Sequence, residues 1–485
     1  MKKLNILLSL LLISALAVAQ AQPTSQTTTP DRSAPPALGK AKNLQLPAIQ
    51  KFKLSNGLSV VLMEKHSVPL VQVNLLLQTG SFDDPSGKEG LASMTMDLLD
   101  EGAGEYDALQ LADEIEFLGA QIGTFSRAFS SEVDCAAPVS KLDGALKLMS
   151  TIVLKPTFAE AELERVRKLR LNGLLTAYDE PNTIATRAYN RLLFTESTPY
   201  GKFANEQSIR SYTKSDLQSF HSRNFVTGNC TLVIVGDVTK ESVTPLLEKY
   251  FAALPGGTVT KAAKPTPQPV KGRTIFLVDK PGAAQSVIRI GRIGTSRSDA
   301  TYNDIVIMNT ILGGSFASRL NTNLREEHGY SYGANSGFSF WPVAGPFTAS
   351  SSVQTDVTGP ALGEFFVEFK KMLQPIPETD LNRGKNYNAL GYAGDFETNG
   401  QIAEALAELV MFQLPDNYFN TYVDKALAVN KKAVEAAAKK YITPDNMLIV
   451  IVGDRAKVEE GIKKLNLGKI NVLSIEDVLG KKPQL

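Results

Sequence analysis

The sequence has little of the chemistry that most often marks a site. Two cysteines, three histidines and one tryptophan occur in 485 residues. Cysteines as distant as Cys135 and Cys230 build no disulfide framework, although one pairing stays open. Both lie in strand-like stretches, "SEVDCAAPV" and "NCTLVIVGD", where a buried small hydrophobe is the ordinary reading. No pair among His66, His221 and His328 has the spacing of helical metal ligands. An excess of one charge is missing too: 51 Lys and Arg face 50 Asp and Glu, a net +1. Such a balance draws neither nucleic acid nor an anionic membrane surface. Beyond residue 22 no apolar run resembles a transmembrane segment.

What is present is globular material, 43% hydrophobic and 21% charged, enough for large cores. The length suggests about two to four domains. At the N-terminus Lys2 and Lys3 precede an apolar run from Ile6 to Val18 and then the small residues of "ALAVAQAQ". That order is a secretory signal peptide over residues 1–21, cut after Ala19 or Ala21. The mature chain is therefore expected to be exported, periplasmic in a Gram-negative bacterium. Residues 22–45, rich in Thr, Pro, Ala and Ser, read as a disordered lead-in.

One unit is written twice. "NCTLVIVGD" (229–237) returns as "NMLIVIVGD" (446–454), with Asn, Val, Gly and Asp in the same places. A helical pattern ending near an aromatic precedes each copy, and a helix-like stretch follows. Between the copies, "LPGGTVTKAAKPTPQPVKG" has linker composition. The chain thus divides into a domain over 46–255, a linker over 256–271, a second domain over 272–470 and a tail over 471–485. Short strands joined by tight turns predict an α+β fold: two homologous domains, each a mostly antiparallel sheet with helices on one face.

"EGLASMTMDLL" (89–99) starts a helix, with apolar Leu91, Met94, Leu98 and Leu99. Ser93, Met96 and Asp97 stand at i, i+3 and i+4, the spacing at which helix neighbours converge. Its surroundings, "LSNGLSVVLMEKHSVPLVQVNLLLQTGSFDDPSGKEGLASMTMDLL", resemble the opening of the pitrilysin/insulinase metallopeptidases, which include mitochondrial processing peptidase. "ILGGSFASRLNTNLREEHGYSYGANS" resembles the C-terminal half of that family, and "IVGD" closes each domain as it does there. The resemblance covers about residues 50–460. It implies two α/β repeats and, in active members, an inverted His-x-x-Glu-His zinc motif with a further glutamate downstream. Mapped here, the two histidines become Ser93 and Asp97, the general base becomes Met96, and the third ligand falls at Gly173, with no carboxylate at 172–174. Catalytic zinc needs three strong ligands and an open water position, so no metal is expected on this chain.

The second half keeps more. Within "NLREEHGYSYG", Arg325 precedes Tyr332 by seven residues. The resemblance implies that this pair holds a substrate carbonyl and the charge that develops on it. A guanidinium and a phenol both donate to an oxyanion. Glu326 and Glu327 read as a solvated helix face, Gly313 and Gly314 as close backbone approach, and Trp341 as packing. Some exported bacterial members of the family work in pairs, and the sequence is similar to the subunit without zinc. The implied partners are a zinc-motif-bearing subunit of the same family, as a heterodimer, and a peptide or unfolded protein substrate. Zinc would reside in the partner. The alternative is a structural or peptide-binding pseudoenzyme with no role in turnover.

Overall fold

β-Branched and aliphatic runs between Gly- and Asn-containing turns set up two six-stranded sheets. The computed structural model describes residue 39, residues 41–261 and residues 263–484. The expected signal peptide lies outside the described residues, as does the lead-in up to residue 38. The first sheet uses β1 (Ile49–Lys53), β2 (Ser59–Glu64), β3 (Leu70–Leu77), β6 (Gln121–Ser126), β7 (Ser131–Pro138) and β8 (Cys230–Gly236). A small ribbon of β4 (Gly102–Ala103) and β5 (Tyr106–Asp107) stands apart. The second sheet uses β9 (Thr274–Asp279), β10 (Gln285–Ile293), β11 (Ser331–Phe338), β12 (Pro346–Gln354), β13 (Leu448–Gly453) and β14 (Ile470–Leu473).

The strand orders are β1-β2-β8-β3-β7-β6 and β11-β12-β10-β13-β9-β14. Reversing the second superimposes the two plans. β8 and β13, the twice-written segment, are both inner strands, each parallel to one neighbour and antiparallel to the other. The plans part at one edge, where β1 runs antiparallel to β2 but β14 runs parallel to β9. Residues 471–485, expected as a tail, instead contribute most of β14 and the helix Ile475–Leu479, which sits against the helix Pro181–Phe194. At the other end, Leu44 packs on the core and Asn43 Nδ2 donates to Asp424 Oδ2 at 2.7 Å. Residues 43 and 44 of the expected disordered lead-in are thus held in place.

Each sheet buries both faces around its inner strands β8 and β13, whose residues are buried along their whole length and are nearly all apolar. In β8, Leu232 and Ile234 face the helices of their own half, while Val233 and Val235 face the other way. That second face is covered by a helix from the opposite half. Ile402, Ala403, Leu406 and Leu409 of Asn399–Phe412 pack on Val61, Met63, Val233 and Val235. Reciprocally, Ile184, Ala185, Ala188 and Tyr189 of Pro181–Phe194 pack on Val278, Val287, Val450 and Val452. The Tyr189 hydroxyl donates to the Phe347 carbonyl at 2.8 Å. Trp341 seals the same junction against Phe82, Phe129, Phe194 and Tyr200 of the first half. The halves therefore interlock by exchanging a helix. Cys135 and Cys230 are buried free thiols on β7 and β8, and burial pushes both up to about 12.

Candidate functional site

The helix Leu91–Asp97 begins where Gly90 turns at φ +96. A side chain there would strain the backbone and meet the Tyr212 hydroxyl 2.8 Å from its Cβ. Asp84 caps the helix start, accepting from Gly90 N at 2.7 Å and Ala92 N at 2.8 Å. Burial pushes its carboxyl up to about 7 despite those two donors. A cavity of about 840 Å³ opens beside this helix start, with Asp84, Lys88, Glu89 and Ser93 in its wall.

Ser93 and Asp97 do converge, but on a cation. Arg170, from the helix Glu160–Ala177, donates through Nη1 to Ser93 Oγ at 3.0 Å and through Nη2 to Asp97 Oδ2 at 2.5 Å. Ser93 Oγ in turn donates to the Gly90 carbonyl at 3.0 Å. Met96 does not join them. It is wholly buried in the first core, and its carbonyl accepts from Thr124 Oγ1 at 2.8 Å. This corrects the expected convergence of all three positions: a 100° step per residue carries the apolar Met96 inward. Gly173 follows Arg170 by one turn and is exposed, with no atom within 4 Å of a Cβ placed on it.

The residues present do not fit zinc. Of the four motif positions only Asp97 carries a strong ligand, and a guanidinium already holds it. A dication there would meet the fixed positive charge of Arg170 at contact range. The histidines have other duties. His66 Nδ1 lies 2.7 Å from Asp237 Oδ1, a hydrogen bond that raises its pKa. His221 is half-buried and stacks on Phe225, with Nε2 2.7 Å from the Val153 carbonyl, and partial burial lowers its pKa. His328 stacks on Tyr330. Among the described residues no three His, Cys, Asp or Glu side chains gather as a metal cluster.

Arg325 and Tyr332 lie in the second half. Arg325 sits in a wide helical turn, Thr322–Glu327. Its guanidinium lies 4.6 Å over the exposed Phe316 ring and 3.0 Å from Oε1 of Glu326. Glu326 and Glu327 are both exposed, as a solvated face requires. Tyr332 is 92% exposed on β11. The β11–β12 register breaks between Ser331 and Ala334, around Tyr332. Gly313 lets β11 approach: the Ser336 N–H donates to its carbonyl at 3.0 Å, and a Cβ on Gly313 would sit 2.4 Å from Ser336 N. Among the described residues no hydrogen bond or ion pair joins Arg325 or Tyr332 to Ser93, Asp97 or Arg170.

The sequence reading missed Arg170, which lies 73 residues from Asp97. Arg170 falls three residues before Gly173, on the same helix face, and that placement was the available signal.

Fold and site together define a duplicated α+β chain with an ion-paired first site and an open second one. Residues 59–196 match the family model described as "Insulinase (Peptidase family M16)", and residues 211–388 match "Peptidase M16 inactive domain". The chain belongs to the peptidase M16 family. An uncharacterized zinc protease of Rickettsia bellii is 23% identical over 411 residues, covering 83% of this chain and 91% of the relative. A peptidase M16 inactive domain from Pseudomonas fluorescens superposes with a TM-score of 0.78 at 26% identity, covering 84% of this chain and 97% of that one. A protease from Helicobacter pylori shares the fold, with a TM-score of 0.77 at 19% identity, over 84% of this chain and all of the other.

Proposed function

We propose that this chain is the non-catalytic subunit of an exported heteromeric zinc peptidase. A zinc-motif-bearing subunit of the same family supplies metal and base. This chain presents Arg325 and Tyr332 in trans to the substrate carbonyl, and the substrate is a peptide or an unfolded protein segment. The observation that carries the reading is the contrast in occupancy. Arg170 holds Ser93 and Asp97, whereas Tyr332 stands almost fully in solvent with no bonded partner among the described residues. A solvent-facing phenol and a partly exposed guanidinium suit a reacting centre on another subunit. β11 is also a sheet edge, a template for an extended peptide.

The test is co-expression with a zinc-motif family member from the same organism, followed by a peptide-cleavage assay. Cleavage is expected to need both chains and to fall about 10²–10³-fold with Arg325→Ala or Tyr332→Phe. Full activity of the partner alone, unmoved by either variant in the complex, overturns the proposal in favour of the structural or peptide-binding pseudoenzyme.

A further inference from the structure

The two sheets correspond strand for strand, so equivalent stations can be compared. On β3, Asn74 lies opposite Val233 of β8; on β10, Arg289 lies opposite Val450 of β13. Val233 and Val450 hold the same place in the twice-written segment. Asn74 and Arg289 are therefore counterparts, each on the face that the exchanged helix partly covers.

Their surroundings differ in one respect. In the first sheet the polar side chains satisfy one another: Gln72 Nε2 donates to Asn74 Oδ1 at 2.7 Å, and Asn74 Nδ2 donates to Glu132 Oε2 at 3.1 Å. Asp134 stands directly across from Asn74, with Glu132 two residues along β7 on the same face. At the matching stations of β12 stand Ser350 and Thr348. The carboxylates have become hydroxyls, while the amide has become a guanidinium.

Arg289 is consequently a half-buried cation without an anion. Its side chain has no hydrogen bond or ion pair among the described residues, and its Nε is buried with no acceptor. It lines a cavity of about 320 Å³ with Tyr332, Asn182, Gln285, Asn335 and Ser350, and no Asp or Glu contributes to that wall. A guanidinium presents a planar fork of donors matched to a carboxylate. Native structures seldom leave such a donor unanswered in a polar recess without a ligand for it.

We infer that the cleft between Arg289 and Tyr332 binds a peptide carboxylate, either an Asp or Glu side chain or the terminal α-carboxylate. Arg289 is a specificity-determining contact beside the residue that meets the scissile carbonyl. The substrate class is thus narrowed to peptides carrying an anionic group near the cleaved bond. This rests on the reading of Tyr332 given above, but its test needs neither the partner nor turnover.

The experiment measures anisotropy of labelled peptides with the purified full chain. One peptide carries a single glutamate and an amidated end, a second has a free C-terminal carboxylate and no glutamate, and a third has neither. The expected result is about tenfold tighter binding of a carboxylate peptide than of the neutral one, the scale of one charge-assisted contact. The peptide that shows the gain identifies the source of the carboxylate. Arg289→Gln is expected to erase the gain and Arg289→Lys to keep part of it. Asn182→Asp, at an exposed position on the cavity rim, is expected to erase the gain by offering Arg289 an internal anion, without touching the core. Equal binding of all three peptides, or a gain that survives in both Arg289→Gln and Asn182→Asp, overturns the inference. The assignment of Arg325 and Tyr332 fails separately, in the cleavage assay of the complex.

Discussion

Arg170 and Arg325 each extend from a helical segment, Arg170 onto two positions where the family resemblance puts zinc ligands and Arg325 at one where it puts an oxyanion donor, yet their surroundings are opposite. Arg170 is mostly buried and holds two side chains of one helix, Ser93 and Asp97. Arg325 is more open, and its neighbours are an exposed ring and an adjacent exposed glutamate. In the first corner the guanidinium balances the carboxylate that a metal would otherwise need, so the corner is electrostatically complete. In the second corner the Tyr332 side chain stands in solvent and Arg325 is partly exposed, with its Nη1 buried and unanswered by any hydrogen bond, so both keep donors for an oxyanion brought from outside. The same residue type is structural where its partners lie within the chain and chemical where they do not.

That contrast breaks most readily in a crossed assay. With the zinc-bearing partner present, Arg325→Ala and Tyr332→Phe are expected to cut kcat/KM by about 10²–10³-fold and to leave the melting temperature unchanged. Arg170→Ala is expected to do the reverse, lowering the melting temperature and sparing turnover. If Arg170→Ala abolishes cleavage without destabilising the chain, the two corners are not different in kind. The interlock between halves comes next in size. Leu406 is wholly buried in the helix lent to the first sheet, and Leu406→Ala is expected to cost about 2–5 kcal/mol in denaturant unfolding. A smaller effect sharpens the first corner. Asp97 is nearly half exposed, so a double-mutant cycle between Arg170→Ala and Asp97→Ala is expected to give about 1 kcal/mol of coupling or less.

Much of this plan is legible in the sequence, for a definite reason. The repeated strand keeps "VIVGD" in both copies, and β8 and β13 do occupy matching stations. The exchanged helices are not legible. An unbroken apolar strand such as "LIVIVG" says that two faces are buried, but it does not say which helix covers the second. The loss of the motif at Ser93, Met96, Asp97 and Gly173 is plain from residue identity alone. What replaced it is not, because the Arg170–Asp97 pair joins segments 73 residues apart and no local period links them. Arg289 was silent for a related reason: an arginine in a strand means little until its cross-strand neighbours are known to be hydroxyls.

The first corner also carries a titration. Asp84 holds the start of the Leu91–Asp97 helix, and burial pushes its carboxyl up to about 7, well above the ordinary aspartate range. Glu132, on β7 near Glu404 of the exchanged helix Asn399–Phe412, is pushed up to about 7 by the same cause. A carboxyl raised on folding binds its proton more tightly in the native state than in the unfolded chain. Its contribution is therefore complete below the unfolded pKa and is lost as pH rises through the folded one. Unfolding free energy is expected to fall between about pH 4 and pH 7, with Asp84→Asn and Glu132→Gln each flattening part of that slope. Asparagine at 84 offers one acceptor oxygen for two backbone donors, so this variant is expected to be less stable at acid pH and to converge on the wild type near neutrality. Denaturant unfolding at several pH values reads slope and offset separately. Parallel curves for wild type and both variants would show that neither carboxyl changes its proton affinity on folding.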